Sequence, residues 1–155
     1  MQRSDTPLVR LRHAQLAPYT FSAVPAWVWA IDGVRVMWCN AAGAAAFGET
    51  RIASLMGHRF EPHDLAVREV QRLRGSLPIS GAVQLVRLRG FANALAGILT
   101  CAASRIALPG LSSAILIVGT EPARPALPLA ERARRMLAEI DDAAGFAPDG
   151  TLLHA

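Results

Sequence analysis

The sequence predicts an α+β fold on a five-stranded antiparallel sheet: two strands, a block of short helices, then three strands, with a flanking helix at each terminus. Three observations carry this expectation. Two β-rich runs, residues 27–31 and 34–39, flank Asp32-Gly33, the dipeptide that most strongly signals a hairpin between such runs. A middle block punctuated by Gly48, Gly57 and Gly75 carries apolar residues at helical spacing. After Pro78 come three further β-like runs, 81–89, 94–106 and 112–119, joined by the turn-forming stretches 90–93 and Pro109-Gly110, as in a meander.

Taken in order, residues 6–21 are expected to form a helix, with Leu8, Leu11, Leu16 and Tyr19 on a loose apolar face and Pro18 bending or ending it. Pro25 starts the extended path into Trp27. Gly33 supplies the positive φ that a tight turn requires, and Asp32 tolerates it. Asn40 ends the second strand and is a good helix N-cap, since its side-chain oxygen can accept from an orphan N–H one turn on. A small-residue helix over 41–47 follows, and Gly48 is suited to close it. Thr50 is placed to cap a short turn reaching Leu55. A helix over 62–73 has Pro62 in its first turn and buries Ala66, Val70 and Leu73, while Arg68, Glu69, Arg72 and Arg74 form a solvated face.

Beyond the last strand, residues 121–128 make a Pro-rich, semi-rigid linker into a helix over 129–144. There Leu129, Ala133, Met136, Ile140 and Ala143 recur at coiled-coil spacing, consistent either with a dimer seam or with a satellite helix packed on the domain core. The segment 146–155, with Asp149-Gly150, echoes the turn and strand around Asp32-Gly33. The expected organisation is a flanking helix (1–23), a core domain (24–121), a linker and connector helix (122–145), and the truncated start of a second similar unit (146–155) belonging to a longer polypeptide.

Composition bounds the function. At 52% apolar and 18% charged residues, the chain belongs with globular domains rather than disordered ones. No apolar run approaches the roughly eighteen residues of a membrane span, and residues 1–13 lack a signal-peptide core, so the expected location is cytoplasmic. The net charge is +4 and every basic residue is arginine. The arginines are spread through all segments rather than gathered in a stripe, so nucleic-acid binding is not expected. Cys39 and Cys101 sit in separate apolar runs and read as buried hydrophobes, and His13, His58, His63 and His154 show no ligand spacing, so no metal site is expected. No nucleophile elbow, phosphate-binding glycine loop or apolar carboxylate pair occurs, so no catalytic activity is assigned to these residues.

The run Trp29-Ala-Ile-Asp32-Gly33, Met37-Trp38-Cys39-Asn40-Ala-Ala-Gly43 and Phe47-Gly48 resembles the opening of a PAS domain, and the order ββ-helices-βββ over residues 24–121 extends that resemblance. The structural signature residues are Asp32, Gly33, Asn40 and Gly48. The resemblance implies a sensory or interaction module in which sheet and helices enclose a pocket, with Trp29, Trp38, Phe47, Phe60 and Cys101 as candidate lining residues or plain core. Alternation puts Trp27 and Trp29 on one face and leaves the face of Trp38 open. Flavin photochemistry is disfavoured, because the place of the reactive cysteine in the Asn-Cys-Arg-Phe-type motif reads Gly57-His58-Arg59-Phe60. Haem is not expected either: His63 lies at the very start of the middle helix beside Asp64, too early for the axial ligand of haem-binding members. The cofactor, if any, is left open. The implied roles are a sensor module of a multidomain bacterial signalling protein such as a sensor histidine kinase, acting as a homodimer with a possible small-molecule ligand and passing its signal to downstream domains of the same chain. The alternatives are a ligand-free dimerisation or interaction scaffold, and a free-standing small-molecule binding protein or enzyme.

Overall fold

The computed structural model describes residues 14–91, 97–108, 111–124, 126–138, 145–146 and 152–154. The tryptophan-rich run forms β1 (Ala26–Ala30), paired antiparallel with β2 (Val36–Cys39). The hairpin loop is wider than the expected two-residue turn: Ala30 N–H donates to Arg35 O at 2.9 Å, and inside the loop Gly33 N–H donates to Ala30 O at 2.9 Å. Gly33 takes φ +79°, and Asp32 Oδ1 accepts from Val34 N–H at 3.1 Å, so the dipeptide turns the chain through backbone freedom and an Asx contact. Trp29 then pairs with Val36 as a two-residue turn would also have dictated, but Val28 pairs with Trp38, leaving Met37 as an extra, bulged residue.

Asn40 is the N-cap of α1 (Ala41–Ala46), its Oδ1 accepting from Gly43 N–H at 2.7 Å. Gly48, at φ +80°, follows the Phe47 C-cap. Helix α2 (Ile52–Met56) starts after Arg51 with no side-chain cap, so Thr50 does not play the expected part. Helix α3 (Leu65–Ser76) begins three residues later than expected and ends three later. Its start is displaced because Asp64 Oδ2 accepts from Glu61 N–H at 2.8 Å, holding Pro62 and His63 in a turn of their own. Its buried face is Ala66, Val67, Val70 and Leu73.

The three later strands are β3 (Gln84–Arg89), β4 (Ile98–Leu108) and β5 (Leu111–Gly119). The turn segments 92–93 and 109–110 lie outside the described residues. Sheet order is β2-β1-β5-β4-β3, antiparallel throughout. The last strand thus lies beside the first, with Trp27 opposite Ile117 and Trp29 opposite Ile115. The helices pack on the face carrying Trp27 and Trp29: the hairpin turn meets α3, where a Cβ on Gly33 would lie 3.4 Å from Val67 O and Val70 Cβ. On the other face Val28, Trp38, Leu116 and Val118 are buried as well.

In place of a continuing N-terminal helix, the described part of residues 6–21 is a single 3-10 turn, Ala17–Tyr19, with Pro18 in it; residues 6–13 lie outside the description. Leu16 beside it is fully buried. At the other end α4 (Leu129–Leu137) packs against α1, burying Ala133 and Met136 within the chain itself. Arg132 ties it down by donating from Nε to Phe21 O at 2.9 Å and from Nη1 to Leu127 O. Ile140 and Ala143 of the expected seam are outside the described residues. The echo segment forms a small antiparallel pair, β6 (Gly145–Phe146) with β7 (Leu152–His154), while the Asp149-Gly150 turn itself is not described. Among the described residues, no helix is long and apolar enough to cross a membrane.

Candidate functional site

Trp27 and Trp29 project to the same side of β1, because alternate residues of a strand share a face. There they meet Phe47 at the end of α1, Phe60 ahead of α3 and Phe91 just beyond β3. Ring centroids lie 4.9 Å apart for Trp29–Phe60, 5.3 Å for Trp27–Phe91, 5.5 Å for Trp29–Phe91 and 5.7 Å for Trp27–Phe47. Edge-on and tilted arrangements dominate, the geometry in which ring quadrupoles attract.

Two small features bring α1 close enough to take part. Asn40 is completely buried and uses all its polar valences: Oδ1 accepts from Ala26 N–H (3.0 Å) and Gly43 N–H (2.7 Å), while Nδ2 donates to Tyr19 O (2.8 Å) and Val24 O (2.9 Å). It pins the first strand, the first helix and the incoming chain to one point. Gly43 then lets backbone touch backbone, since a Cβ there would stand 2.6 Å from Ala26 O. The Trp27 indole uses that proximity and donates from Nε1 to Gly43 O at 3.0 Å.

The Trp29 indole has no such outlet. Its Nε1 is buried without a hydrogen-bond partner among the described residues, as is that of Trp38. An orphaned buried N–H carries a desolvation cost of about 1–3 kcal/mol, which an acceptor atom would relieve. Over Phe47 and Phe60 lies an open cleft of about 490 Å³, rimmed by His58, His63 and Asp64 and closed at one side by Leu65 and Gly90. His58 stands edge-on to Phe60 at 4.4 Å. Trp29 thus lies one ring behind the cleft floor.

Of the five expected pocket residues, Trp29, Phe47 and Phe60 come together. Trp38 does not: the bulge at Met37 sets it opposite Val28, on the sheet face away from the ring cluster. Cys101 is on the helix-facing side of β4, level with Val86 and Gly119, and its Sγ donates weakly to Leu99 O at 3.8 Å. Burial pushes its thiol up to about 12, so it is a packing group and no thiolate nucleophile at neutral pH. Asp32, Gly33, Asn40 and Gly48 all act in the turn and cap positions described above. Trp27 and Phe91 were not among the expected lining residues. For Trp27 the strand alternation was a sufficient signal; Phe91 sits in a turn, where no periodicity marks it. Among the described residues, no group of His, Cys, Asp and Glu is arranged to hold a metal.

Neither a model of any known protein family nor any curated protein sequence matches this chain.

Proposed function

We propose that this chain is a PAS-like sensory or regulatory module of a multidomain signalling protein, of the kind carried by bacterial sensor histidine kinases. The observation that carries the reading is the ring cluster itself. A five-stranded antiparallel sheet in the order ββ-helices-βββ turns Trp29 inward under Phe47 and Phe60, with an unspent indole N–H behind an open cleft. A small organic molecule suits such a place: Phe47, Phe60 and Leu65 offer apolar contact, His58, His63 and Asp64 offer polar contacts at the rim, and an acceptor reaching past Phe60 would relieve the Trp29 N–H. Helix α4 is the output element: it packs on α1, whose N-cap Asn40 is hydrogen-bonded to β1, so a change at the cluster has a short route to it through one hydrogen bond and one helix–helix contact.

A second reading is favoured by the same rings. Trp29 and Phe60 already sit at contact distance, 4.9 Å between centroids, so the interior is substantially filled by side chains, as in a ligand-free dimerisation or interaction scaffold. Native mass spectrometry of the purified protein separates the two. A co-purifying small molecule lost in Trp29→Phe supports sensing; a clean apo dimer supports the scaffold. A clean apo monomer, unchanged by extracts of small molecules, overturns both.

A further inference from the structure

The outer face of the sheet is covered unevenly. Across β2, β1 and β5 the side chains of Trp38, Val28, Leu116 and Val118 are buried. Toward the free edge the same face is open. The pairing Leu85–Ala102, Arg87–Thr100 and Arg89–Ile98 puts these residues on the outer side, while Val86 and Leu88 turn inward. Leu85 is 74% exposed, Val83 65% and Ile98 46%, and Ile79 in the preceding loop is 92% exposed. Four large aliphatic side chains facing solvent near one sheet edge exceed the scattered singles of an ordinary surface. A groove of about 700 Å³ continues the patch inward, between Tyr19 on one wall and Ile79 and Val83 on the other, over Ser104, Ile106 and Leu116.

Charge on this half of the molecule has one sign. Between Glu69 and Glu121 the sequence contains no Asp or Glu, yet it carries Arg72, Arg74, Arg87, Arg89 and Arg105. Two of these are engaged by backbone carbonyls or an acid: Arg72 donates to Glu69 and to Arg87 O, and Arg105 donates to Leu77 O and Arg74 O. Arg87 and Arg89 are exposed and form no ion pair among the described residues.

We propose that the open β3–β4 face, with its adjoining groove, binds an acidic, aliphatic-rich segment of a partner protein. Leu85, Val83, Ile98 and Ile79 provide the apolar contact, and Arg87 and Arg89 select carboxylates at its rim. A second copy of this chain fits poorly, since it would bring the same acid-free, arginine-bearing surface with a net charge of +4 on each partner. Nucleic acid fits poorly as well: the exposed groups are aliphatic, and single strands are held by aromatic stacking platforms. The groove favours inserted side chains over a flat lipid surface. The Arg72 guanidinium bonds Arg87 O at 3.2 Å and so takes one acceptor of the edge backbone, which disfavours strand addition there relative to docking on the face.

The test is a selection of random peptides of about a dozen residues, displayed on phage, against the intact protein, followed by solution binding and amide-shift mapping. Expected are peptides enriched in Asp or Glu together with Leu, Ile or Val. Their amide shifts fall on residues 79–89 and 98–106, and affinity drops about tenfold or more in Arg87→Glu/Arg89→Glu and weakens again as salt shortens the screening length. Both altered positions are exposed, and mapping on the unaltered protein needs no variant to fold. Selected peptides without acidic bias, or shifts elsewhere, overturn the proposal. So does preferential occupation of this face by phosphatidylglycerol vesicles, by a single-stranded oligonucleotide or by a second copy of the chain.

Discussion

Replacing Asn40 with Ala removes four hydrogen bonds from one fully buried side chain. Each is worth about 1 kcal/mol net, and the groups left behind are backbone N–H and C=O atoms that cannot all reach water. The sum is about 4 kcal/mol, a large part of the 5–15 kcal/mol that typically separates folded from unfolded domains. At a urea slope of about 2 kcal/mol per M, the unfolding midpoint falls by about 2 M. Tryptophan fluorescence is the direct assay, since Trp27 lies against Gly43 within the same hub. Asn40→Asp separates two explanations. As an N-cap alone Asp equals Asn, but here it loses both donations from Nδ2 and points a carboxylate at Tyr19 O and Val24 O. The expected order is native, then Asp and Ala both far below. An Ala variant within about 1 kcal/mol of native, or an Asp variant as stable as native, would refute the hub argument.

Gly43→Ala sets helix propensity, worth about 1 kcal/mol in favour of Ala, against a Cβ placed 2.6 Å from Ala26 O; the clash wins, and the urea midpoint falls. Trp27→Phe and Trp29→Phe trim similar rings, but only the first strands an acceptor, Gly43 O, so Trp27→Phe is the more destabilising by about 1–2 kcal/mol in paired denaturation curves. Cys101 resists alkylation in the native protein at mildly alkaline pH and reacts on unfolding, as mass spectrometry after iodoacetamide shows. Because its folded value, about 12, stands above the reference 9.0, the unfolded chain loses this proton first: stability attributable to Cys101 is complete below about 9 and declines as pH rises toward 12. Cys101→Ala flattens that alkaline limb in pH-dependent melts.

Much of the fold was legible because its signals are local. Asp32-Gly33 announces a turn through backbone freedom, Asn40 announces a helix start through a bond spanning three residues, and the three β-runs declare themselves by side-chain type and punctuation. Helix boundaries were less legible where neighbours compete, as when Asp64 turns back to Glu61 N–H and delays α3. The candidate site was readable in part: alternation along β1 gives Trp27 and Trp29 one face, and Phe47 and Phe60 follow from the elements next to it. Phe91 has no periodic context, and nothing near Asn40 in the chain announces its bonds to Tyr19 and Val24.

By itself, then, the sequence determined the five strands and the middle helices, their order, the place of the hairpin turn and the Asn40 cap that follows it, but not the width of that turn nor the 3-10 turn at Ala17–Tyr19 in place of a helix. Tertiary structure alone decided the strand order that sets β5 against β1, the burial of Ala133 and Met136 inside the chain, and the face on which Trp38 lies. The last is the clearest case. A two-residue turn at Asp32-Gly33 places Trp38 opposite Trp27; one bulged residue, Met37, moves it opposite Val28 and so to the other side of the sheet. Side-chain direction in a strand has a period of two, so a single added residue reverses it, and where that residue is added depends on packing from both faces at once.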